Sequence, residues 1–243
     1  MNAIETQALT RRFGSLTAVD ALTLTIPEGE LFALLGVNGA GKTTAIRMLC
    51  GLLPPTSGDA LLLGHSIVTD SAAAKALLNV SPQETAVAGG LTVRENLAFI
   101  AGIYGKKRRE AEAAADAMIE RMGLQSVAGR RAKQLSGGWQ RRLSIAMGLI
   151  TEPRILFLDE PTLGLDVLAR RELWQVIEAL RGQITVVLTT HYLEEAEALS
   201  DRIGVMAGGR LKALGAAREL IERTGAANFE DAFVALAAGK EAV

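Results

Sequence analysis

The 243-residue sequence predicts an α/β fold with a mostly parallel sheet, and three observations carry that prediction. The run "ELFALLG" (30–36) is continuously apolar, as a strand buried on both faces is, and it leads through a Gly-rich turn into "KTTAIRMLCGL", whose apolar residues recur at helical spacing. "RILFLDE" (154–160) is a second buried strand and "ITVVLTT" (184–190) a third, with the helical segment "VLARRELWQVIEALRG" (167–182) between them. Strand, loop, helix, strand order implies parallel pairing through crossover helices.

The remaining elements follow along the chain. "AIETQALTRRF" (3–13) and "ALTLTIPEGE" (21–30) alternate apolar and polar positions and end at turn residues, as strands with one exposed face do. "PPTSGDALLLG" (54–64) reads as a turn leading into a strand, and "LLNVSPQE" (77–84) as a strand ending at Pro82. From Leu91 to Ile150 the pattern turns helical: "TVRENLAFIAGIYG", "REAEAAADAMIERMG" and the segment after Gly138, with no strong strand between them. "RIGVMAGGRL" (202–211) resumes the strands, and the tail from Ala216 reads as one or two short helices. We therefore expect a single domain, with 1–88 and 150–220 forming the core, 89–149 an inserted helical subdomain and 221–243 a helical tail.

Composition narrows the function classes. Hydrophobic residues make up 49% and charged residues 22%, as in an ordinary globular protein, and 26 basic against 27 acidic residues give no global field that favours nucleic acid. The basic clusters "KKRR" (106–109) and "GRR" (129–131) flank helical segments and read as solvated faces. The one cysteine, Cys50, allows no intramolecular disulfide and fits a reducing compartment. No secretory-type leader is visible, and no apolar run reaches the ~18 residues that span a bilayer. The expectation is a cytoplasmic protein that does not itself cross a membrane.

The chemistry concentrates at strand ends. "GVNGAGKT", Gly36 to Thr43, fits G-x-x-x-x-G-K-[ST] between a buried strand and a helix, the context that pattern requires. Its glycines let backbone N–H groups converge on a phosphate, Lys42 reaches the β- and γ-phosphates, and the Thr43 hydroxyl completes a Mg²⁺ shell. Asp159 and Glu160 close the strand "RILFLDE", where one carboxylate suits Mg²⁺ or its waters and the next can poise an attacking water. Gln83 and His191 end two other strands that this topology brings beside the loop, Gln83 near metal or water and His191 near the γ-phosphate. A second candidate anion site is Ser136, Gly137 and Gly138, which would open a helix with unpaired N–H groups.

The motifs "GVNGAGKT", "SPQE", "LSGGWQ", "ILFLDE", "LGLD" and "TTH" occur in that order, and together they resemble the nucleotide-binding subunit of an ABC transporter. The resemblance runs from Ala3 to about Leu214, and LSGG is its discriminating element. It implies a P-loop NTPase core of RecA-like type, an N-terminal antiparallel β subdomain and the inserted helical subdomain. It also implies ATP and Mg²⁺ as cofactors, with ATP hydrolysis as the activity. Glu160 would be the general base or water-positioning carboxylate, acting with His191, Gln83 and Lys42. Thr43, Gln83 and Asp159 would form the metal set. Phe13 matches the aromatic that stacks on adenine, where the family more often has Tyr. The nucleotide set would be Phe13, Gly36, Asn38, Gly39, Ala40, Gly41, Lys42, Thr43 and Thr44 from one copy, with Ser136, Gly137, Gly138 and Asp166 closing from a second.

The same resemblance implies its partners: integral-membrane permease subunits and a second nucleotide-binding subunit, a homodimer on ATP binding, with no nucleic acid. The protein would then sit on the cytoplasmic face of the cell membrane through the permease. The ending "NFEDAFVALAAG" (228–239) and the segment "LTVRENLAFIAGIYG" resemble the subunits that serve drug, antibiotic and polysaccharide exporters. A short-tailed importer subunit and a soluble non-transport ATPase of the same family are the alternatives. Trp139 departs from the usual polar or flexible residue after LSGG, and sequence alone leaves open whether it packs on a neighbouring helix or touches nucleotide.

Overall fold

The computed structural model describes residues 1–239, so the last four residues of the expected 221–243 tail lie outside the described residues. The chain begins with three antiparallel strands, β1 (Asn2–Phe13), β2 (Leu16–Leu22) and β3 (Thr25–Pro27). It continues through β4 (Leu31–Leu35), α1 (Lys42–Leu49), β5 (Ser57–Leu62), β6 (His65–Ser66), α2 (Ser71–Ala76) and β7 (Leu78–Ser81). Helices α3 (Val93–Ile103), α4 (Arg108–Arg121) and α5 (Gly137–Leu149) fill the interval before β8 (Ile155–Asp159). Then come α6 (Val167–Glu178), β9 (Thr185–Thr190), α7 (Leu193–Leu199), β10 (Arg202–Ala207), β11 (Arg210–Gly215), α8 (Ala217–Thr224) and α9 (Phe229–Ala237).

Two sheets result. One is antiparallel, in the order β2-β1-β5-β6 with β3 also on β1; the other has the order β11-β10-β4-β9-β8-β7. All pairings in the second are parallel except β10 with β11. This is the P-loop NTPase arrangement: a mostly parallel sheet beside an antiparallel one, with helices inserted between β7 and β8.

The period-2 geometry of the buried strands divides the core. Leu31, Ala33, Leu35, Leu156, Leu158, Val186 and Leu188 point to one face, where they join Leu97, Leu143, Leu173 and Phe229 of the helices. Phe32, Leu34, Ile155, Phe157 and Val187 point to the other, against Ile46 and Met48 of α1 and Ile4 and Leu62 of the antiparallel sheet. Continuous apolar runs, Leu31–Leu35 in β4 and Ile155–Leu158 in β8, are needed because both faces are covered. The sheet is thereby held rigid at the strand ends that carry the polar residues.

Local chemistry sets the boundaries. Thr92 Oγ1 accepts from Glu95 N at 3.2 Å while the Glu95 carboxylate accepts from Thr92 N at 2.7 Å, a reciprocal cap that starts α3. Two readings of the sequence are corrected. "ALTLTIPEGE" is not one strand: Ala21 adopts φ +49°, and Leu24 N donates to Thr6 Oγ1 at 2.8 Å, so the chain changes neighbours before β3. "RIGVMAGGRL" is a hairpin, because Gly208 and Gly209 take φ +57° and +77°, the two consecutive left-handed positions that a tight two-residue turn needs. Helix α7, following His191, had no counterpart in the sequence reading.

Candidate functional site

The loop between β4 and α1 is shaped by two glycine positions. Gly41, the residue before α1, has φ +103°, and a Cβ there would lie 2.4 Å from Ala18 O. A Cβ at Gly36 would meet Met206 O at the same distance. No side chain fits at either point, so the loop packs directly on the backbone at Ala18 and Met206. Lys42 is buried and spans the loop from inside: its Nζ donates to Gly36 O at 2.6 Å and Val37 O at 3.3 Å.

The ends of β8 and β9 meet this loop. Asp159 Oδ1 accepts from Thr189 Oγ1 at 2.5 Å and from Thr43 Oγ1 at 3.3 Å. Glu160 stands at the strand end with φ +50°, a strained conformation for this residue type, stabilised by its N–H donating to Thr189 Oγ1 at 3.1 Å. Its carboxylate is buried between two nitrogens, Lys42 Nζ at 3.5 Å and His191 Nδ1 at 2.7 Å. Lys42, Glu160 and His191 line a cavity of about 580 Å³ together with Phe13, Asn38, Gly39, Ala40, Gly41, Thr43, Thr44 and Gln83, while Asp159 lines a second cavity that shares Gln83. Phe13 is exposed, and the Arg11 guanidinium lies 4.7 Å from its ring centroid, over one face.

The other expected residues lie elsewhere. Ser136, Gly138 and Trp139 line a separate shallow cleft with Arg142 and Ala169. Ser136 precedes α5 in extended conformation but its side chain makes no capping bond, and Gly137 beside it is exposed. A Cβ on Gly138 would approach Ala169 Cβ to 3.0 Å, so the glycine is what lets α5 pack on α6. Asp166 caps α6, accepting from Leu168 N and Ala169 N at 2.9 Å each. Within one chain, therefore, Ser136, Gly137, Gly138 and Asp166 do not join the cavity. Trp139, partly buried, packs on the hydrophobic core with Arg142 stacked 4.8 Å from its ring.

Three residues of the site escape the sequence reading. Thr189 holds Asp159 and Glu160 together. Arg141, buried on α5, donates from Nη1 to Pro82 O at 2.6 Å and from Nη2 to Gln83 O at 2.5 Å, fixing the loop that carries Gln83. Burial pushes the pKa of Arg141 down, while Asp159 and Glu195 oppose that shift. Glu195 is buried on α7 with its pKa raised, chiefly by desolvation. The available signal was a charged residue inside an apolar helical stripe, as in "WQRRLSIAMGLI".

Comparison with known proteins agrees with this geometry. The profile of the ABC transporter family matches residues 19–163, more than half of the sequence. The chain belongs to the ABC transporter family. It is 44% identical over 218 residues to the probable multidrug ABC transporter ATP-binding protein YbhF of Escherichia coli, covering 89% of this chain and 38% of that one. It is 42% identical over 224 residues to the daunorubicin resistance ATP-binding protein DrrA3 of Streptomyces coeruleorubidus, covering 92% and 71%. A solved structure of the ATP-binding subunit of an ABC transporter superposes with a TM-score of 0.83 at 26% identity, over 96% of this chain and 99% of that one. The chain spans just over a third of the length of the first relative. Among the described residues no helix is long and apolar enough to cross a membrane.

Proposed function

We propose that the chain hydrolyses ATP to drive export through separate permease subunits, and that a second copy completes each nucleotide site. The observation that carries this reading is the placement of the Glu160 carboxylate, between Lys42 and His191 at the rim of the phosphate-loop cavity. The glycine loop, packed on Met206 and Ala18 at Gly36 and Gly41 and bordered by open space at Gly39, supports a polyphosphate on its cavity side. Lys42 exchanges its loop carbonyls for the β- and γ-phosphates, and Phe13 offers a ring to the base. The oxygens of Asp159, Thr43 and Gln83 are hard donors that would hold Mg²⁺, which would supply positive charge to the phosphate oxygens.

Glu160 then accepts a proton from the attacking water or fixes its lone pair in line with the γ-phosphate. His191 Nδ1 contacts the Glu160 carboxylate at 2.7 Å, and its ring lines the cavity where the γ-phosphate would lie. Ser136 has a hydroxyl that caps nothing in its own chain, and Val167 and Leu168 expose apolar surface beside Asp166. Both support a second copy whose Ser136–Gly138 amides close on this chain's γ-phosphate. Exposed Phe99 and Ile103 of α3, with Tyr104 after it lining a cleft beside Pro82 and Ala86 of the Gln83 loop, support permease docking there, which would hold the chain at the cytoplasmic face. The names of the two relatives, multidrug transport and daunorubicin resistance, support export.

Glu160→Gln tests the reading. ATP should still bind, measured by calorimetry, while turnover falls by about two orders of magnitude or more and an ATP-dependent dimer accumulates on gel filtration. Wild-type turnover in this variant would overturn the assignment of Glu160.

A further inference from the structure

Glu195 lies four residues past His191 on α7 and is completely buried. Its carboxyl is approached from three elements. Trp174 Nε1 on α6 donates to Oε1 at 3.2 Å, and the hydroxyls of Thr190, at the end of β9, and Thr162, in the loop after Glu160, lie beside it. Neither Glu195 Oε2 nor Thr162 Oγ1 completes a hydrogen bond, although both atoms are buried. A carboxylate in that place would be a desolvated charge held by neutral donors. A carboxylic acid removes that charge and can either donate to the Thr162 hydroxyl or accept from it.

The surroundings act in both senses: the hydrogen bonds from Thr190, Thr162 and Trp174 favour the carboxylate, while burial, the larger effect, favours the acid. From the end of β8, the like charge of Glu160 disfavours ionisation of Glu195, adding to its desolvation. From α5, the Arg141 guanidinium acts in the opposite sense. On α6 the neighbour is the Trp174 indole, with Arg170 one turn earlier stacked 4.4 Å from the Tyr192 ring. At the end of β9, His191 is committed to Glu160. Strand β4 presents apolar residues, and Glu230 and Asp231 of α9 are exposed to solvent. On α7 itself Glu197 points to solvent and Glu194 is exposed.

We propose that Glu195 is a positioning residue which, as the neutral acid, ties the loop following Glu160 to the segment carrying His191, keeping the two groups aligned on the water that attacks. Trp174 with Glu195 and Arg170 with Tyr192 form two rungs, spaced four residues apart on α6, that hold the His191 segment in place. The inference rests on the hydrolytic reading of the site. It adds a group that touches neither nucleotide nor metal.

The test compares Glu195→Gln with Glu195→Ala in the full chain. Glutamine keeps a neutral donor and acceptor, so ATP turnover should stay within about threefold of wild type. Alanine should lower kcat by roughly tenfold or more with the KM for ATP little changed. Wild-type turnover should decline at alkaline pH as Glu195 ionises, and Glu195→Gln should flatten that limb. The infrared difference between wild type and Glu195→Gln at neutral pH should contain a protonated-carboxyl stretch, a readout that needs neither turnover nor the alanine variant to fold. A carboxylate signature in its place, or a glutamine variant as impaired as the alanine one, would overturn the proposal. If Glu160→Gln leaves turnover intact while the protonated-carboxyl band is present, the assignment of Glu160 fails and that of the neutral acid stands.

Discussion

Replacing Arg141 by methionine removes the two bonds that fix the Gln83 loop, and the structure sets the size of the effect. The guanidinium is buried and donates to Pro82 O at 2.6 Å and Gln83 O at 2.5 Å. Hydrogen bonds from a charged donor contribute about 1.5–3 kcal/mol each, so the pair accounts for roughly 3–6 kcal/mol. Against this, methionine spares the desolvation of a buried cation, which recovers several kcal/mol, and the carbonyl of exposed Gln83 can turn to water. A net destabilisation of about 1–3 kcal/mol follows, lowering Tm by roughly 2–4 °C per kcal/mol in a chain of this size. Thermal unfolding followed by circular dichroism measures it. Because the loop carries Gln83 to the cavity, kcat should also fall, by about tenfold if the misplacement costs 1.4 kcal/mol of transition-state stabilisation. Lysine at this position, a point donor that reaches one carbonyl, should fall between. A methionine variant with wild-type Tm and wild-type kcat would refute the claim that Arg141 holds the loop.

Gly41→Ala forces a Cβ to within 2.4 Å of Ala18 O at φ +103°, so ATP affinity by calorimetry should collapse while the rest of the chain stays folded by circular dichroism. Lys42→Ala should weaken ATP binding itself; equal affinity would count against the loop assignment. Replacing Ser136 by arginine should leave ATP binding to a monomer intact but abolish ATP-driven dimerisation on gel filtration, and an equal loss of monomer binding would contradict a role in a second copy's site. The raised pKa of Glu195 means that the folded chain holds a proton that the unfolded chain releases once pH passes the ordinary carboxyl range. Stability should therefore be greatest below that range and decline as pH rises towards the raised value, and Glu195→Gln should lack this decline in urea unfolding at stepped pH.

How much of this was legible beforehand depended on whether a residue's role is local. The phosphate loop announced itself because its strand, its glycines and its helix are contiguous in sequence, and each glycine answers a steric demand visible in the pattern. The buried strands were legible for a similar reason: a strand covered on both faces must be apolar at every position, and "ILFL" and "TVVL" are nearly so. The hairpin at Gly208–Gly209 was missed because the strand pattern continues across it, and only the pair of left-handed residues reveals the reversal.

Arg141 and Glu195 were illegible for the opposite reason. Each is charged, and on a lone helix the default place for such a residue is the solvated face. Only the tertiary arrangement, which sets α5 beneath the Gln83 loop and α7 beside α6, turns them inward and supplies their partners. Thr189 and Thr190 look like ordinary strand threonines until β9 is paired with β8, whereupon one holds Asp159 and the other faces Glu195. The motif residues that carry the chemistry were therefore readable in one dimension, while those that hold them in place depend on contacts between distant segments. Ser136 to Gly138 extend this by one step: their helix start is complete in one chain, yet their amides meet no phosphate there, because the loop they serve belongs, on the present proposal, to another copy.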